Sequence, residues 1–445
     1  MNRLPILKDC VAKINVSLSG IFLLSLFLIF IFSSCSVSKQ ISRQASKTIL
    51  QDSAIRSGHI GISIYDPATN EYLYDHNGAK YFVPASNTKL FSLYAGLKYL
   101  GDSLPGLRYE ILNDQELAIQ PTGDPTFLHP DFLQQPAYDF LKRFKQISFT
   151  NPLFTDNFFG RGWAWDDYKE SYMTQRSNFP IYGNLLQIKK EGNNISIIPR
   201  SQKFTIAENA NIDDGFDVIK NWGDNELSII KGSNKNLSVP FTPNAADIIK
   251  MLEDTLQATV IPANDNHTQL TNLLRSQRVD SFYKIMMHRS DNFFAEQTLL
   301  MASNELLGYM DDRKMIDTIF KTNMPDIPQK PKWVDGSGLS RYNLFTPQSL
   351  VYLLNKMQNE YSLDRLKSIL PTGGEGTLSS LYKNDAGSIF AKTGTLSNHC
   401  ALSGFLITKK NRLLIFSVLV NHYQTSAVPV RKAIEKFLLS IREKY

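Results

Sequence analysis

The first feature in the pattern of apolar and polar positions lies near the start. Residues 21–32 are apolar apart from Ser25, follow Arg3, Lys8 and Lys13, and give way to Ser33-Ser34-Cys35-Ser36. That run is too short for a bilayer core of roughly 30 Å but suits the apolar region of an export signal. A polar stretch, 36–57, precedes two alternating runs, 60–65 and 71–74. They flank Asp66-Pro67-Ala68-Thr69-Asn70, and a β-hairpin is expected there. Pro84-Ala85-Ser86-Asn87-Thr88-Lys89 then leads into Leu90, Leu93, Tyr94, Leu97 and Leu100, a helical spacing that Gly101 can end. From about 105 to 265 the pattern changes to short β-like runs, such as 194–198 and 227–230, separated by Asn, Gly, Asp and Pro. Helical spacing returns at 282–287, 293–307 and 347–357. Strand-like runs follow at 388–392, 401–408 and 413–420, and 428–445 reads as a final helix. The expected architecture is α/β (α+β). A signal-type segment, 1–34, is followed by a discontinuous domain, 35–104 and 266–445, with helices packed on an antiparallel sheet. A β-rich inserted domain, 105–265, interrupts it, and the hairpin and the C-terminal strands can share one sheet.

Composition narrows the classes. Of 445 residues 42% are hydrophobic and 20% charged, which excludes a disordered or collagen-like chain. The net charge of +6 is too diffuse for a nucleic-acid binder. Losing Arg3, Lys8 and Lys13 together with Asp9 lowers it to +4. The small residues before Cys35 resemble the lipobox of bacterial lipoproteins, in which that cysteine is lipidated. The alternative is an uncleaved membrane anchor. On the lipoprotein reading Cys10 is discarded, Cys35 carries lipid, and Cys400 is the lone internal thiol, so no intramolecular disulfide forms. Ser36 after Cys35 points to an exported, periplasmic protein anchored in the outer membrane. The seven histidines show no His-Glu-x-x-His, and Asp213-Asp214-Gly215 lacks the alternation of a calcium loop, so neither metal nor cofactor is expected. Trp163, Trp165, Tyr168 and Tyr172 read as domain core in preference to a glycan platform. No Gly-x-Ser-x-Gly elbow is present.

Three motifs stand in order: Ser86-Asn87-Thr88-Lys89, Ser290-Asp291-Asn292 and Lys392-Thr393-Gly394. A serine hydroxyl is a weak nucleophile and needs a base within reach. On a helix starting at Ser86, the i and i+3 positions bring Lys89 against it. The helix N-terminus offers N–H groups to an oxyanion. Ser290 can pass a proton to a leaving amine and the Asn292 amide can fix a substrate peptide group. Lys392 on an edge strand presents a cation to a terminal carboxylate, with Thr393 and Thr395 as hydroxyl partners. Gly394 permits close approach of a substrate backbone. Ser-x-x-Lys alone is weak, because Ser36/Lys39, Ser228/Lys231, Ser281/Lys284 and Ser380/Lys383 match too. Ser-x-Asn and Lys-Thr-Gly each occur once. If the motifs carried no chemistry, Ser86 would be a helix cap and Lys392 an edge-strand charge.

The set resembles the penicillin-recognising serine D,D-peptidases, and within them the D-alanyl-D-alanine carboxypeptidase/endopeptidase group, peptidase family S13. The resemblance implies a serine transpeptidase/β-lactamase-like domain. The roughly 200 residues between Ser86 and Ser290 match that group's inserted domain, whereas β-lactamases have a far shorter interval. Residues 123–126, 155–159, 162–167, 335–341 and 374–378 are also similar, so the likeness covers about 55–445. The insertion is somewhat shorter than in the larger relatives, and Ser397-Asn398-His399-Cys400 replaces a more Gly-rich stretch. The resemblance implies Ser86 as the acylated nucleophile, Lys89 as its base, and the N–H groups of Ser86 and Thr395 as the oxyanion hole. Asp156 and Arg341 are expected to contact a charged side chain of the substrate peptide. The implied partners are peptidoglycan stem peptides and β-lactam inhibitors, with no nucleic acid. Two other readings are a β-lactamase-like hydrolase and a catalytically idle wall-binding scaffold.

Overall fold

The computed structural model describes residues 37–192, 194–199, 206–209, 217–220, 227–230, 236–263 and 270–445. The export-signal reading of 1–34, Cys35 and the acidic turn at 213–215 lie outside these residues. Two remote parts of the chain build the main sheet. Its five antiparallel strands run in the order Ile389–Leu396, His399–Ile407, Leu413–Asn421, His59–Asp66 and Glu71–His76. The central pairing sets Ile62 opposite Val418 and Ile64 opposite Phe416. Strand side chains alternate between faces. Ala401, Phe405, Ile415 and Leu419 therefore join one core with the helices Lys89–Tyr99, Val279–Arg289, Asn292–Leu307 and Pro347–Glu360. Leu402, Val418 and Ile62 join a second core on the opposite face, under the helix Ala427–Lys444. Burial on both faces explains why the C-terminal strands read as almost continuous apolar runs.

The expected combination of helices and antiparallel sheet is present, with differences in detail. The polar stretch 36–57 is helical over residues 37–50, because Ile41, Ala45 and Ile49 recur at every fourth position and bury against the C-terminal helix. The Tyr445 hydroxyl ties the two ends together by donating to the Val37 carbonyl at 3.0 Å. The helix Asp312–Thr322 also stands outside the expected set.

Residues 103–278 form sheets of their own. The largest runs Thr259–Pro262, Gln146–Phe149, Glu116–Pro121, Ser103–Ile111, Asn272–Arg278. Its first two junctions are parallel and its last two antiparallel. The runs at 194–198 and 227–230 are strands, as expected. This β-rich stretch also holds the helix Ala245–Leu256, started by Asn244, which accepts from the Asp247 N–H at 2.9 Å. The strand Ser103–Ile111 follows directly on the helix that begins at Lys89. Its partner Asn272–Arg278 feeds directly into the helix that stops at Ser290. Two helices that carry motif residues are thereby tied to adjacent strands of one sheet, and the Val279 N–H closes the junction on the Asp102 carbonyl at 3.1 Å.

The core pairing on the central strand gives a stability prediction. Ile62 is fully buried, so Ile62→Ala should cost about 2–5 kcal/mol, read as a lower denaturation midpoint in urea. An unchanged midpoint would show that the pairing of the N- and C-terminal strands contributes little.

Candidate active site

Ser86 sits on a single 3-10 turn, Ala85–Thr88, and the α-helix proper begins at Lys89. The expected i, i+3 contact survives this change: the Lys89 ammonium donates to Ser86 Oγ at 3.0 Å. The turn begins with Ala85 at φ 48°, a left-handed conformation that costs an alanine on the order of 1 kcal/mol. Asn87 pins the turn to the edge strand by donating to the Lys392 carbonyl at 2.8 Å. Gly394 lies beside the same turn. A Cβ there would stand 2.7 Å from the Pro84 carbonyl oxygen and 3.1 Å from the Ser86 nitrogen. The close approach that requires this glycine is therefore made by the chain's own nucleophile turn.

Ser290-Asp291-Asn292 bridges two helices. Ser290 ends the first at φ 61°, and the Asp291 side chain caps the second by accepting from the Phe294 N–H at 2.9 Å. The bend presents Ser290 and Asn292 on the same side as Ser86. Asn292 Oδ1 accepts from Lys89 at 2.6 Å, and the Ser337 carbonyl accepts from Lys89 at 2.7 Å. All three ammonium hydrogens of Lys89 are thus engaged, although its side chain is fully buried. Burial pushes the Lys89 amine down to about 8, with Asp335, Glu296 and Asp291 opposing the shift. Lys392, equally buried, donates to Ser290 Oγ and to the Thr393 carbonyl, both at 2.8 Å. Burial and then the charge of Lys89 hold it well below the usual lysine range. Thr395 Oγ1 accepts from Arg431 at 2.7 Å. Two amines, each held on a serine hydroxyl, suit acyl transfer: one takes the nucleophile's proton and the other serves the leaving group.

The remaining expected site residues divide. Arg341 lies at the rim, donating to the Ser397 carbonyl at 3.2 Å, with His399 Nδ1 at 3.1 Å. It therefore braces the turn that follows Lys392-Thr393-Gly394. Asp156 belongs to a separate buried cluster. Its Oδ1 accepts from Arg176 at 3.0 Å and its Oδ2 from the Asp312 N–H at 2.9 Å. Asp156, Asp311 and Asp312 bring carboxylate oxygens within 4.8 Å of one another, and the Arg176 guanidinium lies against two of them. The aromatic group is not core throughout. Trp165 is 72% exposed and Tyr172 45%, whereas Trp163 is half-buried and donates its indole N–H to Asp335 Oδ2 at 2.9 Å. These residues lie on 3-10 turns and loops and form no sheet with an inner face.

Sequence reasoning missed Glu296, Asp335 and Ser337 as functional groups. Asp335 is completely buried and accepts from the Gly338 N–H, the Ser340 N–H and Asn343 Nδ2, between 2.7 and 2.8 Å, besides Trp163. Those bonds fold the loop that carries the Ser337 carbonyl onto Lys89. Glu296, in the helix Asn292–Leu307, accepts from the Ser337 N–H at 2.8 Å. Burial and then Asp335 push its carboxyl upward, against Arg176. One signal was available in the sequence. Glu296-Gln297 interrupts a helix that is apolar all round, and such a helix is buried on every side.

A model of the D-Ala-D-Ala carboxypeptidase 3 (S13) family matches residues 42–440. The chain is 25% identical over 459 residues to a D-alanyl-D-alanine carboxypeptidase of Actinomadura sp., a match covering 88% of this chain and 83% of the relative. It is 24% identical over 416 residues to the D-alanyl-D-alanine carboxypeptidase DacB of Haemophilus influenzae, covering 80% and 84% respectively. The crystal structure of penicillin binding protein 4 from Haemophilus influenzae shares the fold, with a TM-score of 0.69 at 20% identity over 89% of this chain and 97% of that one.

Asp335 supplies the prediction here. Asp335→Ala removes the acceptor of four donors, three of them buried, and should cost at least about 3 kcal/mol, seen as a lowered midpoint of thermal unfolding. A midpoint unchanged from the wild type would mean that the loop 335–341 is held by other contacts.

Proposed function

The chain belongs to the D-Ala-D-Ala carboxypeptidase 3 (S13) family, and on that premise we propose that Ser86 is the acylated residue of a serine-type D-Ala-D-Ala carboxypeptidase/endopeptidase. The observation that carries the assignment is the pair of lysine–serine contacts, Lys89 on Ser86 and Lys392 on Ser290, met within one site. The substrate is a peptidoglycan stem peptide. Its terminal carboxylate faces the Lys392 ammonium and the hydroxyls of Thr393 and Thr395. Neutral Lys89 takes the Ser86 proton while Oγ attacks the carbonyl carbon. The N–H groups of Ser86 and Thr395 hold the resulting oxyanion, and Asn292 fixes the peptide group. The C–N bond then breaks, and the departing D-alanine amine receives a proton through Ser290, leaving an acyl ester on Ser86. Water, deprotonated by Lys89, hydrolyses that ester and regenerates the serine. A β-lactam enters by the same attack, its ring amide opening to an acyl-serine. Arg341 contacts the substrate from the rim, and Asp156 acts on it indirectly, through the buried cluster it shares with Arg176.

The division into a peptidase domain, 35–104 and 266–445, and an inserted domain, 105–265, is part of this reading. It is supported by the pairing of Ser103–Ile111 with Asn272–Arg278 at the two ends of the insertion. Export to the periplasm and lipid attachment at Cys35 in the outer membrane also belong to it. The supports are the basic residues, apolar run and small residues of 1–36. Among the described residues no helix is long and apolar enough to cross a membrane.

Incubation with a fluorescent penicillin tests the assignment. The wild type should retain covalent label and Ser86→Ala should not. Absence of label on the wild type would end the reading, and rapid loss of label would favour a β-lactamase-like hydrolase. The pH dependence follows from Lys89. The reactive form is the neutral amine, so acylation should fall about tenfold per unit as pH drops below about 8. A profile flat down to pH 6 would remove Lys89 as the base. For the anchor, cells fed labelled palmitate should mark the wild type and not Cys35→Ala; equal labelling of both would exclude lipidation there.

A further inference from the structure

The three groups that receive the Lys89 hydrogens are Ser86 Oγ, Asn292 Oδ1 and the Ser337 carbonyl. The second and third are held from outside the peptidase elements. Asn292 Nδ2 donates to the Tyr172 carbonyl at 2.9 Å, which fixes the side-chain amide so that its oxygen faces Lys89. Trp163 reaches Asp335, the carboxylate on which the Ser337 loop is wound. Glu296 holds the Ser337 N–H, and the guanidinium of Arg176 stands 3.5 Å from the other Glu296 oxygen. Arg176 is itself fixed by Asp312 at 2.5 Å, by Asp156, and by the Asn157 carbonyl at 2.6 Å. Trp163, Tyr172 and Arg176 lie within fourteen residues of one irregular segment, and each ends on a group next to the lysine.

We infer that residues 163–176 of the insertion are a positioning element for the Lys89 amine, acting through Trp163–Asp335, Tyr172–Asn292 and Arg176–Glu296. This rests on the assignment of Ser86 and Lys89 given above. The inserted segment thereby has a part in the chemistry without touching substrate: it sets where the base stands and what field it feels. That field comes from every side. Asp335 on the Ser337 loop, Glu296 and Asp291 on the neighbouring helix and its cap, and Lys392 on the edge strand all face Lys89. Glu296 is in turn faced by Arg176, Asp335 and Asp312. Loss of the Trp163 donor leaves the Asp335 carboxylate less compensated, which favours protonated Lys89. Loss of the Glu296 charge favours the neutral amine.

The opposed signs make the test. Acylation by a chromogenic penicillin is followed by stopped flow from pH 6 to 10, separating affinity before acylation from the limiting rate, for wild type, Trp163→Phe and Glu296→Gln. Rates are normalised to the sites that label at saturation. Trp163→Phe keeps an aromatic ring at the position and removes the N–H together with the rest of the indole's five-membered ring. Its limiting rate should fall about tenfold with affinity unchanged, and its acidic limb should move to higher pH. The limb of Glu296→Gln should move to lower pH. Limbs coincident with the wild type in both variants would overturn the inference, even where thermal stability drops, since a structural role alone lowers stability without moving the limb. If Glu296→Gln does not fold, Trp163→Phe decides alone by the direction of its limb. Failure of the wild type to label at all would strike the Ser86 assignment instead, so the two failures are distinguishable.

Discussion

A completely buried lysine amine is the constraint to which the rest of the structure answers. Taking an ammonium out of water costs several kcal/mol even after relaxation, and Lys89 is completely buried. The cost is offset only where three acceptors converge within hydrogen-bonding distance, and they come from three parts of the chain: the nucleophile turn, the junction at Ser290-Asp291-Asn292, and the loop at 335–341. Convergence imposes the unusual backbone nearby. Ala85 and Ser290 adopt left-handed conformations, and Gly338 packs so tightly on the Ala85 carbonyl that no side chain fits. Strain of this kind persists only where the surroundings over-determine it.

The second buried lysine sharpens the constraint. Besides burial, the charge that bears on Lys392 is that of Lys89, of the same sign. Two buried ammonium groups disfavour each other, so the site binds a second proton reluctantly. On the proposed function, a substrate carboxylate entering beside Lys392 would offset the mutual repulsion of the two amines.

What could be read from the sequence was local. Lys89 follows Ser86 by three residues, so a helical turn of either kind brings them together. The strands around residues 60 and 415 show in runs of Ile, Val and Leu. Groups that act over distance in the chain left weaker traces. Asp335 opens a stretch, 335–341, that the family resemblance marks without a role, and only the fold reveals that four donors surround it. Arg176 lies in a stretch with little regular structure, where no periodicity marks a buried guanidinium. Asp156 stood out by its motif, but a motif does not reveal a partner 20 residues away that takes up the carboxylate. The N-terminal helix at 37–50 escaped because three buried residues, Ile41, Ala45 and Ile49, are diluted by polar neighbours that face solvent.

The middle of the main sheet joins strands from the two ends of the described chain, and this makes its central pairing a contact of long range. The Val83 N–H closes on the Asn421 side chain across 338 residues of chain, and His59–Asp66 has Leu413–Asn421 as its inner neighbour. Contacts so distant are slow to form, because loop closure precedes any reward from pairing. During synthesis the serine leaves the ribosome long before the lysine-bearing strand exists. A nascent or prematurely terminated chain therefore exposes a hydroxyl with no completed pocket around it. The site is complete only once the strand Ile389–Leu396 has paired, because that strand supplies Lys392.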